Sequence, residues 1–254
     1  MNQTQQNISD SVFEVVNPDG ASSVVLVCEH ASHAIPAQFH SLGLSNDALN
    51  SHAAWDPGAM AVARIMAQEL DAVLVASRIS RLVYDCNRPP EAAGAMPAKS
   101  EVFDIPGNAN LTEAERATRT ATFYTPFKTA LATAIAAKDD PILITIHSFT
   151  PIYHGTRRAV EIGILHDSDT RLADAMLRVG AAHSPHITQR NQPYGPQDGV
   201  THTLLEHGVA GGHPNVMIEI RNDLIKTPGD QRSMAKQLAA WVMDAYTGFM
   251  KATA

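Results

Sequence analysis

The chain has 254 residues, a formal net charge of −7, 44% hydrophobic residues and 18% charged residues. This length and apolar content suffice for a sizeable core and exclude a chain that is disordered throughout. Lysine and arginine are scattered, which does not indicate a nucleic-acid surface, and no apolar run approaches the ~20 residues of a membrane span. The N-terminus lacks the basic and apolar regions of a signal peptide, so we expect a cytoplasmic protein. We expect one domain over 1–254, with a loose lead-in over 1–20.

Short apolar runs rich in β-branched residues alternate with helical patterns along the chain. The runs predict buried strands at 22–28, 72–77, 141–147, 159–166 and 215–221. Apolar residues at helical spacing predict helices at about 46–70, 112–138, 168–182 and 229–250. Thr112 and Glu115 form a capping-box pattern at the start of the second of these helices. The alternation favours an α/β three-layer sandwich, in which a mixed, mostly parallel sheet is flanked by helices.

Polar side chains that suit metal binding or proton transfer stand at the ends of three predicted strands. Glu29 and His30 follow the first strand, His147 ends the third, and Glu219 lies between two isoleucines in the fifth. A charge inside an apolar strand is costly unless it is paired or coordinated, so Glu219 is the clearest sign of a site. A lone histidine is more often a hydrogen-bonded structural residue. Two histidines and a glutamate at one end of a sheet together predict a divalent-metal site.

A third ligand is needed, and Asp56 is the first choice. It stands in "WDPG", at the predicted start of a helix that follows the first strand. Glu29 and His52 are the alternatives. Neighbouring residues of a strand point to opposite faces, which counts against Glu29 acting beside His30.

Arginines and amides downstream are candidates for binding an anionic substrate. In "SRLVYDCNRPP", the planar fork of Arg81 or Arg88 suits a carboxylate, and Asn87 can add an amide donor. Ordinary turn or surface chemistry would also explain the further candidates, which are Arg158, Asn191, Tyr194 and Arg221.

Six stretches taken together resemble the N-formylglutamate amidohydrolase family. They are "VCEHASHAIP", "HAAWDPGA", "SRLVYDCNRPP", "IHSFTP", "NQPYG" and "IEIRNDLI", and they follow the family's order over about 24–225. The resemblance implies a zinc-dependent hydrolase with a fold similar to the zinc carboxypeptidases and the zinc N-acetylmuramoyl amidases.

The resemblance also implies roles for individual residues. His30 and His147 inherit the role of zinc ligands, and Glu219 inherits that of the general base. Asn87 and Arg88 match the pair that receives the substrate carboxylate. The carboxylate ligand of the amidases lies well downstream of the first histidine, on a helix, which suits Asp56.

The expected activity is hydrolysis of an N-formyl or other N-acyl amino acid, such as N-formylglutamate, by zinc-activated water. The products would be the free amino acid and formate or another small acid. Alternatives are a zinc peptidase or peptidoglycan-type amidase, a metal-binding protein without catalysis, and thiol catalysis by Cys28. The buried base Glu219 argues against a metal-binding protein without catalysis. The position of Cys28 within a strand argues against thiol catalysis.

Overall fold

The structure is a computed structural model that describes the backbone of residues 12–253 and the side chains of 12–248, so most of the expected lead-in, 1–11, lies outside it. Its strands are β1 (Phe13–Val16), β2 (Val24–Cys28), β3 (Val73–Ser77), β4 (Lys99–Ser100), β5 (Phe103–Asp104), β6 (Ile142–Phe149), β7 (Ile152–Tyr153), β8 (Thr156–Arg157), β9 (Ile162–Leu165), β10 (Thr188–Arg190) and β11 (Asn215–Arg221). Its α-helices are α1 (Asn46–Asn50), α2 (Ala59–Glu69), α3 (Glu113–Arg119), α4 (Thr125–Ala136), α5 (Arg171–His183) and α6 (Pro228–Thr253). Segments Thr120–Tyr124 and Leu204–Val209 are π-helical.

Seven strands form one mixed sheet in the order β1-β3-β2-β6-β11-β9-β10. Strand β2 runs parallel to β3 and β6, β6 runs parallel to β11, and β9 runs parallel to β10. The antiparallel pairs are β1 with β3 and β9 with β11. The predicted mixed, mostly parallel sheet is therefore confirmed. Because β2, β6 and β11 are parallel neighbours, their carboxyl ends lie side by side.

Buried clusters cover both faces of this sheet and complete the predicted three layers. Leu26 of β2 faces a cluster that includes Trp241 and joins α2, α5 and α6 to the sheet. Its neighbour Val27 faces the opposite cluster, which includes Phe127 of α4. Successive side chains of a strand point to opposite faces, so a strand covered on both faces has the continuous apolar run seen in the sequence. Within residues 12–253, no helix is both long enough and apolar enough to cross a lipid bilayer.

Two segments differ from the sequence-based expectation. The expected lead-in contains β1, because Phe13–Val16 pairs with β3 at the edge of the sheet. The helix expected at 46–70 is divided into α1 and α2 by the "WDPG" turn, where Gly58 has a φ of 84°. A Cβ on Gly58 would lie 2.8 Å from the carbonyl oxygen of Ile225, so both the left-handed backbone and the close approach require glycine.

The helix expected at 112–138 begins as predicted but changes its winding. Thr112 and Glu115 form both hydrogen bonds of the capping box. A π-helical turn then separates α3 from α4 just before Pro126. Proline has no N–H to donate to the preceding turn, which accounts for the interruption at this point.

Candidate metal centre and active site

The carboxyl ends of the central strands hold a cluster of buried polar side chains. His30 lies two residues beyond β2, His147 is on β6, and Glu219 is on β11 in register with His147. Asp56 joins them because its N–H donates to the carbonyl oxygen of His30 at 3.0 Å, before Pro57 and Gly58 lead into α2. All four side chains belong to residues that are 5% exposed or less.

Three of these residues point ligand atoms at a common centre. One ligand atom each from His30, Asp56 and His147 lies within 4.8 Å of the other two. The two Nδ1 atoms are 3.2 Å apart, and Asp56 Oδ2 is 3.3 Å from Nδ1 of His30 and 2.9 Å from Nδ1 of His147. Two imidazole nitrogens and one carboxylate oxygen form the kind of three-ligand set that catalytic zinc sites use.

A carboxylate stands behind each imidazole. His30 Nε2 is 2.7 Å from Asp85 Oδ1, and His147 Nε2 is 3.1 Å from Glu29 Oε2. The contact of His30 with Asp85 is a hydrogen bond, and an ionised carboxylate only accepts, so the proton of a neutral His30 ring belongs on Nε2 and its Nδ1 lone pair faces Asp56. Glu29 lies within ion-pair distance of His147 without hydrogen-bond geometry. The converging lone pairs and the carboxylate oxygen fit a divalent cation.

The two alternative ligands from the sequence lie elsewhere. Glu29 lies behind His147 rather than among the three converging donors. His52 is in the wall of the adjacent pocket, where its Nε2 is 2.7 Å from Glu101 Oε1.

The charges of the cluster shift one another's pKa values in favour of the ionised forms. Burial by itself lowers the pKa of His147, but the carboxylates of Glu29 and Asp56 outweigh burial and raise that pKa well above its usual value. Burial would raise the pKa of Asp56, yet the two imidazoles lower it. The pKa of His30 is raised, because Asp85 and Asp56 overcome the opposing effects of burial and Arg81.

Glu219 has a different environment from the other acids. Burial raises its pKa to about 7, and the charge of Asp56 acts in the same direction while His147 opposes both. Its Oε2 is buried and has no hydrogen-bond partner among the described residues. A carboxyl group that titrates near neutral pH beside a metal-binding cluster is matched to taking up and releasing a proton.

A pocket of about 310 Å³ opens above this cluster, and Arg81, Arg88 and Glu219 are in its wall. Arg81 is occupied: its Nη2 is 2.8 Å from Asp85 Oδ2, and its Nη1 is 3.5 Å from Asp56 Oδ1. Nη1 of Arg88 is buried without a hydrogen-bond partner in the part of the chain that the structure describes. Arg88 is therefore available to an anion in the pocket.

Asn87 lines the same pocket but holds the backbone of a neighbouring loop. Its Nδ2 donates to the carbonyl oxygen of Val200 at 2.5 Å, and its Oδ1 accepts from the N–H of Thr203 at 3.0 Å. The contacts seen here are structural, and its second amide hydrogen is what remains for a substrate.

Three aromatic rings form one side of the pocket, and Arg158 packs against them. Arg158 Nη2 donates to Tyr194 Oη at 2.9 Å. The Arg158 guanidinium lies 4.4 Å from the ring centroid of Tyr153, 4.8 Å from that of Tyr194 and 5.4 Å from that of Phe149. The three rings line the pocket, whereas Arg158 stands behind them.

Asn191 and Arg221 lie outside the pocket lining. Asn191 Oδ1 accepts from the N–H of His166 at 2.9 Å. Arg221 donates to the carbonyl oxygen of Arg158 at 3.2 Å and pairs with Glu161 at 3.1 Å. Both side chains brace the loops around the site.

The sequence reasoning did not single out Asp85. It is 3% exposed, and it accepts from the N–H of Asn87 at 2.9 Å besides contacting His30 and Arg81. The sequence does contain a sign of this role, because Asp85 directly follows the apolar run "LVY". As for Glu219, an acid next to apolar residues that becomes buried needs partners. Burial raises the pKa of the Cys28 thiol well above its usual value, which disfavours the thiolate that cysteine catalysis needs.

The model of the family N-formylglutamate amidohydrolase matches residues 22–226. The chain belongs to this family. The fold of this chain is also found in the crystal structure of gene product Atu2144 from Agrobacterium tumefaciens. That protein is 53% identical to this chain, and the TM-score is 0.92 over 96% of this chain and 98% of that one. The crystal structure of N-formylglutamate amidohydrolase from Ralstonia eutropha JMP134 is 18% identical, with a TM-score of 0.71 over 94% of this chain and 99% of that one. No curated protein matches the chain. Membership of the family identifies the chain as an amidohydrolase.

Proposed function

We propose that the protein is a zinc-dependent amidohydrolase that cleaves the linear amide of an N-formyl or other N-acyl amino acid. The observation that carries the proposal is the convergence of His30, Asp56 and His147, whose ligand atoms lie within 4.8 Å of one another. The family supports amide hydrolysis, and the pocket beside the cluster supports a small substrate.

The three converging residues would hold the metal ion. When bound there, a divalent ion such as zinc supplies Lewis acidity, which lowers the pKa of water toward ~7 and polarises a carbonyl group. Asp85 would keep the His30 imidazole in the orientation and tautomer that ligation needs, and Glu29 stands behind the His147 imidazole.

Glu219 would perform the proton transfers. It removes a proton from the attacking water as the oxygen adds to the amide carbon. It then delivers that proton to the amide nitrogen as the carbon–nitrogen bond breaks, which releases the free amino acid and the small acid. Its burial and its pKa of about 7 suit both directions of transfer.

Arg88 would bind the substrate carboxylate. Its Nη1 is buried without a partner among residues 12–253, and a carboxylate would satisfy it with a charge-assisted hydrogen bond. Fixing the carboxylate there places the amide over the metal-binding residues, so that water and carbonyl meet in the right geometry.

The test combines metal analysis with a substrate panel. Purified protein is assayed for amine release from N-formyl and N-acetyl amino acids, before chelation, after chelation by EDTA, and after zinc is restored. We expect activity to disappear on chelation and to return with zinc.

The variant His147→Ala should fail to bind stoichiometric zinc, whereas the control His183→Ala should bind it normally because His183 lies on α5 and pairs with Asp244. Full activity in chelated, metal-free protein would contradict the proposal.

A further inference from the structure

Two arginines are among the described residues that line the substrate pocket. They are Arg81 and Arg88, but Arg81 contacts the carboxylates of Asp85 and Asp56. Arg88 has the unpartnered Nη1, and Gly199 lies beside it, because a Cβ on Gly199 would be 3.4 Å from that atom. The pocket can therefore pair one substrate carboxylate with arginine.

Two further acids, Glu101 and Asp198, line the pocket. Glu101 lines it and contacts His52 at 2.7 Å. Asp198 also lines it, is exposed, and is fixed by the N–H of Gly195 at 2.8 Å. A second carboxylate on the substrate would meet these negative charges, and like charges at short range repel even near water.

Part of the pocket wall is aromatic. Phe149, Tyr153 and Tyr194 line the pocket, and the guanidinium of Arg158 lies within 5.4 Å of all three ring centroids. That stacking and two hydrogen bonds, to Thr150 O and Tyr194 Oη, occupy Arg158 behind the rings. Rings that are held in place present a rigid surface on which another ring can pack face or edge on.

We propose that the preferred substrate is an N-acyl amino acid with a neutral aromatic side chain and one carboxylate, rather than a dicarboxylate such as N-formylglutamate. The inference rests on the proposed function for the position of the amide. Arg88 takes the α-carboxylate, the side chain packs against the three rings, and Glu101 and Asp198 disfavour a second carboxylate.

The test measures binding separately from turnover. Zinc-loaded Glu219→Gln, which should bind substrate without hydrolysing it, is titrated calorimetrically with N-formyl-L-phenylalanine, N-formyl-L-leucine and N-formyl-L-glutamate. We expect the phenylalanine compound to bind roughly tenfold more tightly than the glutamate compound, from one unfavourable charge contact. We expect the leucine compound to fall between them.

A second set of variants tests the acids directly. On the same Glu219→Gln background, Glu101→Gln with Asp198→Asn should reduce the phenylalanine-to-glutamate affinity ratio to roughly threefold or less, because both substitutions remove charge and keep size. Asp104→Asn is the matched control: it removes an acid from the same loop region, at an 83% exposed side chain outside the pocket, and should leave the ratio unchanged.

The possible results separate this inference from the proposed function. Equal or tighter binding of the glutamate compound would overturn the inference, and so would binding of none of the three. Leucine binding as tight as phenylalanine binding would overturn its aromatic part. If phenylalanine is preferred in binding but wild-type enzyme hydrolyses none of the compounds, the proposed function fails while the pocket preference stands.

Discussion

The middles and the carboxyl ends of the central strands share one backbone but bury opposite kinds of side chain. In the middles, Leu26, Ile144 and Ile218 are 0% exposed within an apolar cluster. One residue after Ile218 and three after Ile144, the ionisable side chains of Glu219 and His147 are also buried. Apolar burial stabilises a fold by about 25 cal/mol per Å², whereas a buried charge without a partner costs free energy. The middles therefore stabilise the sheet, and the ends use part of that stability to hold reactive groups.

The largest expected effect lies at the strand ends, in Glu219→Gln. The amide keeps the size of the side chain but cannot take a proton, so kcat should fall by roughly 100- to 10,000-fold. Zinc content should stay at the wild-type value because Glu219 is not among the three converging donors. Steady-state kinetics and metal analysis check this, with Glu69→Gln on α2 as control, and near-normal turnover would remove Glu219 from the mechanism.

The next effect lies in the apolar region, in Trp241→Ala. Trp241 is 0% exposed, and its Nε1 donates to the carbonyl oxygen of Met176 at 2.7 Å. Its removal should lower the free energy of unfolding by about 3–5 kcal/mol, by the usual cost of emptying a buried aromatic site. Urea unfolding measures this.

Folded Trp241→Ala should still bind zinc, because the indole contacts Met176 and Gly180 of α5 and is not in the pocket lining. The control Met243→Ala, on the same helix at a 43% exposed residue, should change stability by less than about 0.5 kcal/mol. Loss of zinc affinity in folded Trp241→Ala would show that the two regions are energetically coupled.

Arg88→Ala should affect substrate binding more than chemistry. Removing a hydrogen bond to a charged group costs about 1.5–3 kcal/mol, which corresponds to a roughly 10- to 150-fold rise in KM with a smaller change in kcat. The control Arg64→Ala removes a surface arginine that pairs with Glu14. An unchanged KM in Arg88→Ala would exclude Arg88 from carboxylate binding.

The smallest expected effect is on the stability of the metal-free protein. The pKa of Glu219 is raised to about 7 in the fold, so the folded state holds the proton more tightly than the unfolded chain, where the pKa is ~4.3. The contribution of Glu219 to wild-type stability should therefore fall as pH rises from about 4.3 through 7, a loss on the order of 1–3 kcal/mol that Glu219→Gln escapes.

Urea unfolding of both metal-free proteins at pH 5 and pH 8 tests this sign. The stability of Glu219→Gln relative to wild type should increase between the two values. A relative stability that stays constant or decreases would mean that the fold does not raise the pKa of the Glu219 carboxyl group.

The sequence was most informative where one physical rule governs a whole element. The continuous apolar run of β2 and the capping box at Thr112 predicted those elements, because burial on both faces and helix capping leave strong local patterns. Placing Asp56 beside His30 required only that a helix start should follow the first strand. The convergence of their ligand atoms, in contrast, depends on contacts between distant segments that no local pattern records.

Other features depend on loop geometry and could not be predicted from the sequence. Asn87 looked free to meet a substrate, but its amide holds the backbone at Val200 and Thr203. The three aromatic rings that contact Arg158 come from separate segments of the chain. No residue spacing in the sequence predicts that they meet. Strand β1 was hidden because a short edge strand gains its pairing from β3 rather than from its own composition.

The register that pairs Glu219 with His147 has a consequence for how the family can diversify. The proposed proton carrier and one proposed ligand are partners on adjacent strands, whereas Arg88, Glu101 and Asp198 belong to connecting segments outside the strands, as do the proposed ligands His30 and Asp56. Loops can exchange side chains without shifting a β-ladder. A change in the proposed substrate preference is therefore open to a handful of loop substitutions, while the sheet itself keeps Glu219 beside His147.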